Sequence, residues 1–451
     1  MCGIVGTIGI EQKEKMIPML ESIEHRGPNH KDYWFDEGDR LFLGHTRLSI
    51  LDLSSAGHQP MIDENEKAII IYNGEVYNFK DLRKSLIAEG YRFKSHSDTE
   101  VLLKLYLVKG PDMVKDLNGI FSFAIWDKKK KSLLMARDPL GVKPLYYYQD
   151  ENHFLFASEM KSLLKLTHFK QEVSPRGALN YLSLLWSPGE ETLLKGVKKV
   201  LPGEAFIIKE GKIVKKWFYY DLPVGQKKTN ISFSDAVEQL DFHLEKSVER
   251  QMVSDVEVGA FLSGGLDSSS LCAYARKFSP KKLQCFTIDM CSNHQREEGL
   301  IDDLPFAQKA AKDLEVDLNI IHVDSEVVSE LEKVIYFLDE PQPDPAILNT
   351  YFIAKLSREK NIKVLLSGAG GDDIFTGYRR HMALGFEKYW SFLPEKLRSV
   401  LSTSTSFLPQ GHTLMRRISK AFKFAHLKED LRICSYFLWS DLETQKMIFD
   451  P

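Results

Sequence analysis

The sequence predicts a mixed α/β protein in two parts: a strand-rich layered part, then strands and helices alternating around a parallel sheet. Three observations lead there. The 451 residues exceed what one compact core serves and fit two or three domains. Short apolar runs at 3–10, 41–50, 68–72, 120–126 and 132–137 mix with helical patterns at 12–24, 79–88 and 98–109. From residue 233 onward strand and helix patterns alternate strictly.

In that second part a helical pattern runs from 233 to Gln251, followed by a strand at 256–262, a helix at 266–276 and a strand at 283–288. A helix at 304–314, a strand at 318–323, helices through Glu359 and a strand at 362–366 complete it. Strands separated by helices pair in parallel, because the crossover needs that length. The stretch 221–230 is polar, holds Pro223 and Gly225, and reads as a linker. The expected organisation is a domain at 1–215, a linker at 216–232 and a second domain at 233–451. No internal repeat or low-complexity tract interrupts it.

Composition narrows the function classes. With 43% hydrophobic and 27% charged residues the chain is globular, and a formal net charge of −3 argues against a broad nucleic-acid or anionic-membrane footprint. Cys2, Cys272, Cys285, Cys291 and Cys434 are sparse, odd in number and without metal-type spacing, which fits a reducing compartment, the cytoplasm by default. No apolar run reaches the ~18–20 residues of a membrane span, and MCGIVGTIGI has no basic leader ahead of it. The basic amphipathic stretch 415–424 (MRRISKAFKF) reads as a solvated helix face rather than a membrane helix. The histidines lack zinc-type spacing, and no metal beyond magnesium is expected.

Cys2 carries the first chemical signal. Removing Met1 would leave a thiol and a free α-amine on one residue, a nucleophile with its own base. With ordinary values near ~8.5 for a thiol and ~7.7–8.0 for an α-amine, the pair can exchange a proton near neutrality.

The second signal is the run Phe261-Leu262-Ser263-Gly264-Gly265-Leu266-Asp267-Ser268-Ser269-Ser270, between a strand pattern and a helix pattern. Glycines allow a sharp turn and a close approach, and the helix start with its serines offers donors to a polyanion. No lysine follows as it does in the common nucleoside-triphosphate loop. A carboxylate at Asp267 beside phosphates calls for a divalent cation between them.

Two sets of runs together resemble the glutamine-dependent asparagine synthetase family. The first comprises MCGIVG, His25-Arg26-Gly27-Pro28, Gly44-His45-Thr46-Arg47-Leu48-Ser49-Ile50, Tyr72-Asn73-Gly74-Glu75-Val76-Tyr77-Asn78, Ser97-Asp98-Thr99-Glu100 and Arg137-Asp138-Pro139-Leu140-Gly141. The second is the phosphate loop with Leu366-Ser367-Gly368-Ala369-Gly370-Gly371-Asp372-Asp373. The resemblance implies an N-terminal-nucleophile αββα sandwich followed by an α/β domain of the ATP-pyrophosphatase type.

It further implies that Cys2 attacks the glutamine amide while the Asn73 side chain and the Gly74 N–H hold the oxyanion. Arg47, Glu75 and Asp98 would hold the α-carboxylate and α-ammonium of glutamine. ATP would lie on Leu262, Ser263, Gly264, Gly265, Asp267, Ser268 and Ser269, with adenine near Ile288, Ser367 and Gly368 bordering the phosphates, and Mg2+ on Asp267 and Asp372. The runs 137–141 and 157–161 are assigned to packing and the domain junction. Glu340 and Asp344 are weaker candidates for binding the acceptor.

The implied reaction adenylates a carboxylate, aspartate foremost, and amidates it with ammonia from glutamine; a homodimer is compatible with it. Two departures keep other readings open. Ala369 stands where the family carries an acidic residue, and the sequence stops at Pro451, short of the family's further helices, so an incomplete second domain is expected. The alternatives are amidation of another carboxylate, such as a uronic acid in surface polysaccharide synthesis, and a nucleotide-binding regulatory module without synthetase turnover.

Overall fold

A computed structural model describes the chain except residues 167–169, 226–229, 291–302, 324–328, 343, 345, 410, 441, 450 and 451. Cys291, Pro343, Pro345, Pro451 and part of the expected linker therefore lie outside the described residues. Two compact units emerge, one of Met1–Gly177, Ser187–Pro341 and Pro345–Ser367, the other of Ala178–Trp186, Gln342–Asp344 and Gly368–Pro451.

The first unit holds three sheets. Its strands are β1 (Gly3–Ile8), β2 (His30–Asp36), β3 (Leu41–Arg47), β4 (Met61–Ile62), β5 (Ala68–Val76), β6 (Gly119–Asp127), β7 (Ser132–Arg137), β8 (Tyr146–Gln149), β9 (Phe154–Ala157), β10 (Val197–Lys199), β11 (Glu204–Lys209) and β12 (Lys212–Phe218), then β13 (Val258–Phe261), β14 (Gln284–Met290), β15 (Asp317–Val323) and β16 (Val364–Leu366). The first twelve form two six-stranded sheets, ordered β10-β8-β9-β1-β3-β2 and β12-β11-β7-β6-β5-β4.

The inner strands of both sheets, such as β1, β3 and β9, are buried on two faces, so they are apolar almost throughout instead of alternating with polar residues. On β5, Ile69 and Ile71 meet Ile4 and Leu43 of the other sheet, while Ile70 and Tyr72 point the opposite way. There they pack against α2 (Phe79–Ala88) and α3 (Asp98–Lys109) through Leu86, Val101, Leu105 and Tyr106. On the outer face of the other sheet, Val5 and Phe42 pack against α1 (Ile17–Glu21) and α4 (Met160–Leu163). The result is a helix, sheet, sheet, helix sandwich. Each fully buried Phe or Ile in it stabilises by about 1.5–3 kcal/mol.

The third sheet is parallel, in the order β15-β14-β13-β16. It is served by α6 (Phe233–Gln251), α7 (Leu266–Phe278), α8 (Leu304–Asp313), α9 (Leu331–Leu338) and α10 (Ala346–Glu359). Strand order reverses between β13 and β16. In such sheets ligands bind beyond the carboxyl ends at this reversal, and the runs 261–270 and 366–373 start there.

The second unit contains α11 (Gly371–Ile374), α12 (Arg379–Glu387), α13 (Glu395–Ser406), α14 (Thr413–Phe422), α15 (Glu429–Ser435) and α16 (Leu442–Phe449), with the end of α5 (Pro175–Leu184). Buried Arg432 pairs with Glu387 at 2.8 Å, and Trp439 N–H donates to Ser183 O at 2.7 Å. Phe392, Phe407 and Trp439 remain exposed. Among the described residues no helix is long and apolar enough to cross a membrane.

Candidate active site

A cavity of about 80 Å³ opens where β1, β3 and β5 bring their ends together. Cys2 stands just ahead of β1, Arg47 ends β3, Asn73, Gly74 and Glu75 lie in the last half of β5, and Asp98 begins α3; all six line this cavity. The Leu48 N–H points at Cys2 Sγ from 3.4 Å. Arg26 Nε donates to Cys2 O at 2.9 Å, and its Nη1 donates to Glu159 at 2.6 Å. Burial by itself would raise the Glu159 carboxyl, but His25, Arg26 and Lys161 hold it down at about 2. The Cys2 carbonyl is thus fixed by a buried ion network.

Asn73 is 1% exposed, and neither its Nδ2 nor its Oδ1 has a partner among the described residues. A buried amide left unpaired costs about 1–3 kcal/mol, so a position that keeps one points to a ligand. Gly74 is needed for approach: a Cβ there would lie 2.3 Å from Ile120 O and 2.6 Å from Phe121 Cα. The predicted strand end at 72 is corrected by this region, since β5 continues to Val76 with Asn73 and Gly74 opposite Ser122 and Phe121. The Asn-Gly pair therefore sits inside a strand and not in a turn.

Charge is arranged across the cavity. Arg47 is buried, donates from Nη1 to Ser54 O at 2.8 Å and from Nη2 to Leu51 O at 3.3 Å, and also holds Asp52 O. Glu75 also lines the cavity, and its carboxyl is pushed up to about 8 by burial and then by Asp98, so that it is negative only above that pH. Burial likewise raises Asp98, against the Tyr72 hydroxyl at 2.7 Å and the Val76 N–H at 3.0 Å that favour its anion. Asp98 does not cap its helix, because Ser97 does, accepting from Glu100 N–H at 3.3 Å. The Met1 α-amine is buried as well, and desolvation takes it down to about 5, opposed by Cys2 and aided by Arg26 and Lys143.

Sequence reasoning missed Gln59 and Lys143, which also line the cavity. Gln59 accepts from Tyr72 N–H at 2.6 Å and donates to Thr99 at 3.2 Å, tying β5 to α3. Lys143 is 8% exposed, and burial pushes its ammonium down. The run 137–141 positions it: Asp138 accepts from the Lys143 N–H at 2.9 Å, and Arg137 Nε donates to Lys143 O at 2.7 Å. The signal was a lysine two residues past a motif glycine.

At the sheet reversal, Ser263 and Gly265 are exposed, Asp267 is half-buried in the first turn of α7, and Ser268 is buried. The two hydroxyls of Ser263 and Ser268 lie 3.0 Å apart, Ser268 donates to Gly265 O at 3.2 Å, and Leu262 N–H donates to Phe286 O at 2.9 Å. Ser269 is half-buried one turn into the same helix. Gly264 has φ +82°, and a Cβ would meet Phe306 C at 2.4 Å and Ala307 N at 2.5 Å. Part of its requirement is therefore the passage of α8, and not ligand approach alone. Ile288 packs beside Phe286, Ile353 and Ile362.

Ser367 closes the first unit, whereas Gly368, Ala369 and Asp372 belong to the second. There Gly370 takes φ +97° ahead of α11, and Gly377 N–H donates to Asp372 O at 2.9 Å. Among the described residues no three His, Cys, Asp or Glu are grouped to hold a metal. Glu340 accepts from the Tyr146 hydroxyl at 3.0 Å, and its Oε1 has no partner among the described residues. Asp344 is exposed in the second unit.

Residues 1–219 match the family of glutamine amidotransferase domains, and residues 239–443 match the asparagine synthase family. Glutamine-hydrolyzing asparagine synthetase 1 of Bacillus subtilis is 36% identical over 421 residues, which cover 91% of this chain and 64% of that protein. A Methanocaldococcus jannaschii protein named putative glutamine-hydrolyzing asparagine synthetase 2 is 35% identical over 430 residues, 89% of this chain and 80% of its own length. Glutamine-hydrolyzing asparagine synthetase 3 of Bacillus subtilis is 35% identical over 399 residues, with 84% and 63% covered. The chain spans less than two thirds of either Bacillus relative's length.

Proposed function

The chain belongs to the glutamine-hydrolysing asparagine synthetase family, and from that premise we propose that it is a glutamine-dependent amidotransferase that uses ATP to amidate a carboxylate, with aspartate the leading acceptor. One observation carries the reading: a single cavity sets a guanidinium, the buried carboxyl of Asp98 and the half-buried one of Glu75 around a thiol and an amide unpaired among the described residues. Arg47 suits an α-carboxylate, Glu75 and Asp98 suit an α-ammonium, and the side-chain amide between those ends is left facing Cys2.

In the proposed sequence, the Cys2 α-amine, freed by loss of Met1, takes the thiol proton, and the sulfur attacks the glutamine Cδ. Asn73 Nδ2 and the Gly74 N–H bond the oxygen as it gains charge. The protonated amine returns its proton to the departing nitrogen, ammonia leaves, and water cleaves the thioester to glutamate. A base must first be unprotonated, and an α-amine with an ordinary value near ~7.7–8.0 is partly so at neutral pH.

At the parallel sheet, the loop 263–269 would cradle the phosphates of ATP, and the acceptor carboxylate would attack the α-phosphorus and release pyrophosphate. Ammonia then attacks the acyl-adenylate and expels AMP. Asp267 and Asp372 would hold magnesium, which when bound offsets phosphate charge.

The test is one incubation with glutamine, ATP, magnesium and aspartate, scoring glutamate, asparagine, AMP and pyrophosphate. Glutamate, asparagine and AMP in step support the reading, and AMP that never depends on an added carboxylate contradicts it. Ala369, which can neither accept a proton nor touch a metal, favours a second reading in which another carboxylate, such as a uronic acid, is the acceptor. AMP formation with a sugar acid but not with aspartate would select it.

A further inference from the structure

The segment 48–57, which follows β3, builds the Arg47 end of the cavity. It supplies the Leu51, Asp52 and Ser54 carbonyls that the guanidinium holds, and the Leu48 N–H that faces Cys2 Sγ. The same segment is also tied to the parallel-sheet part. Asp52 N–H donates to Asp255 Oδ2 at 2.7 Å, Asp255 N–H donates to Ile50 O at 3.1 Å, and Lys363 Nζ lies 3.4 Å from Ser49 O as a donor.

These anchors are not arbitrary points. Asp255 lies three residues ahead of β13, whose far end carries the loop 262–269, and Lys363 lies directly ahead of β16, whose far end carries Ser367. Asp52 itself has φ +52°, a left-handed conformation that persists when neighbours over-determine it. Its own carboxylate accepts from Ser54 N–H at 3.1 Å and His96 N–H at 2.7 Å, and its N–H donates to Asp255 Oδ2.

We infer that Asp255 is a positioning residue for glutamine binding: it holds the 48–57 segment in the form that sets Arg47, and so links the glutamine cavity to the base of the strand carrying the phosphate loop. The inference rests on the function proposed above. It touches neither substrate nor reacting atoms, so it should act on affinity and leave the chemical step alone. A nucleotide on the loop 262–269 would reach the cavity through β13 and this bridge.

The experiment uses the full chain as wild type, Asp255→Ala, Asp255→Asn and the double variant Asp255→Ala, Lys363→Met. Glutamine hydrolysis is followed with and without a non-hydrolysable ATP analogue, and glutamine protection of Cys2 against iodoacetamide gives affinity without turnover. Asp255→Ala is expected to raise the glutamine KM about three- to tenfold with kcat within about threefold, and the double variant to raise it at least about tenfold. Asp255→Asn, which keeps an acceptor oxygen, stays near wild type, and the analogue's effect on KM is lost in Asp255→Ala. An unchanged KM, or a fall in kcat at constant KM, overturns the inference. Amide exchange of residues 48–57 needs no substrate: it accelerates in Asp255→Ala, and unchanged protection overturns the inference by itself. Wild type without glutamine hydrolysis or protection would sink the functional reading, a different result from either of these.

Discussion

Replacing Asn73 by Ala separates catalysis from stability at one buried position. In the resting cavity the Asn73 amide bonds to no described residue, so its removal breaks no hydrogen bond and relieves an unpaired polar group worth about 1–3 kcal/mol. The opposing term is the lost packing of a short side chain of comparable size. Stability should therefore change little or rise. In the reaction the same amide would donate to the oxyanion, and losing one such donor costs about 2.7–4 kcal/mol, or roughly 10²–10³ in kcat. Thermal unfolding and glutamine hydrolysis on the same preparation read both quantities, with ammonia-supported AMP formation as the control. A variant that hydrolyses glutamine within about tenfold of wild type, or whose Tm falls in step with its activity, would refute the assignment of Asn73 as an oxyanion donor.

Because burial and Asp98 raise the Glu75 carboxyl to about 8, it takes up a proton as pH falls below that value, and the cavity loses a negative charge facing the substrate ammonium. The glutamine KM should rise from pH 8 to pH 6, and Glu75→Gln should give a high, flat KM across the range; a wild-type KM independent of pH would contradict this. Arg47→Lys cannot span the Ser54, Leu51 and Asp52 carbonyls and still offer a planar fork, so glutamine KM should rise at least about tenfold in initial-rate assays, with ammonia-supported turnover retained. Gly264→Ala forces a Cβ to 2.4 Å from Phe306 C at φ +82°, a strain of about 1–3 kcal/mol that should lower Tm and nucleotide affinity while glutamine hydrolysis persists.

Local signals were legible where the chain states its own ends. Both α2 and α3 occupy the predicted spans 79–88 and 98–109, the latter capped by Ser97 and stopped at Gly110. The parallel-sheet alternation was equally readable, since buried strands between helices form continuous apolar runs. Edge strands were not. β2 and β12 lie at sheet edges and carry His30, Lys31, Asp32 or Lys212, Lys215, Lys216, so their apolar pattern is diluted. In the cavity, Cys2 was legible from its own chemistry, while Arg47, Asn73, Gly74, Glu75 and Asp98 were pointed to by the family resemblance and are here brought to one cavity. Lys143 could not be placed, because its burial depends on Arg137 and Asp138 folding a turn back toward β1. The raised carboxyl of Glu75 was equally hidden, as it arises from desolvation and from Asp98, 23 positions away. Gly264 was read as a ligand contact, and its backbone neighbour in α8 became visible only in three dimensions.

In the proposed reaction an amino-terminal thiol at Cys2 performs the first chemical step. Intact-mass and peptide analysis after treatment with a glutamine-like diazoketone tests it most directly. The expected product is a chain lacking Met1 and carrying one adduct on Cys2, with glutamine hydrolysis abolished in proportion to labelling. Active protein that keeps Met1, or an inactivating adduct on any other residue, would contradict it.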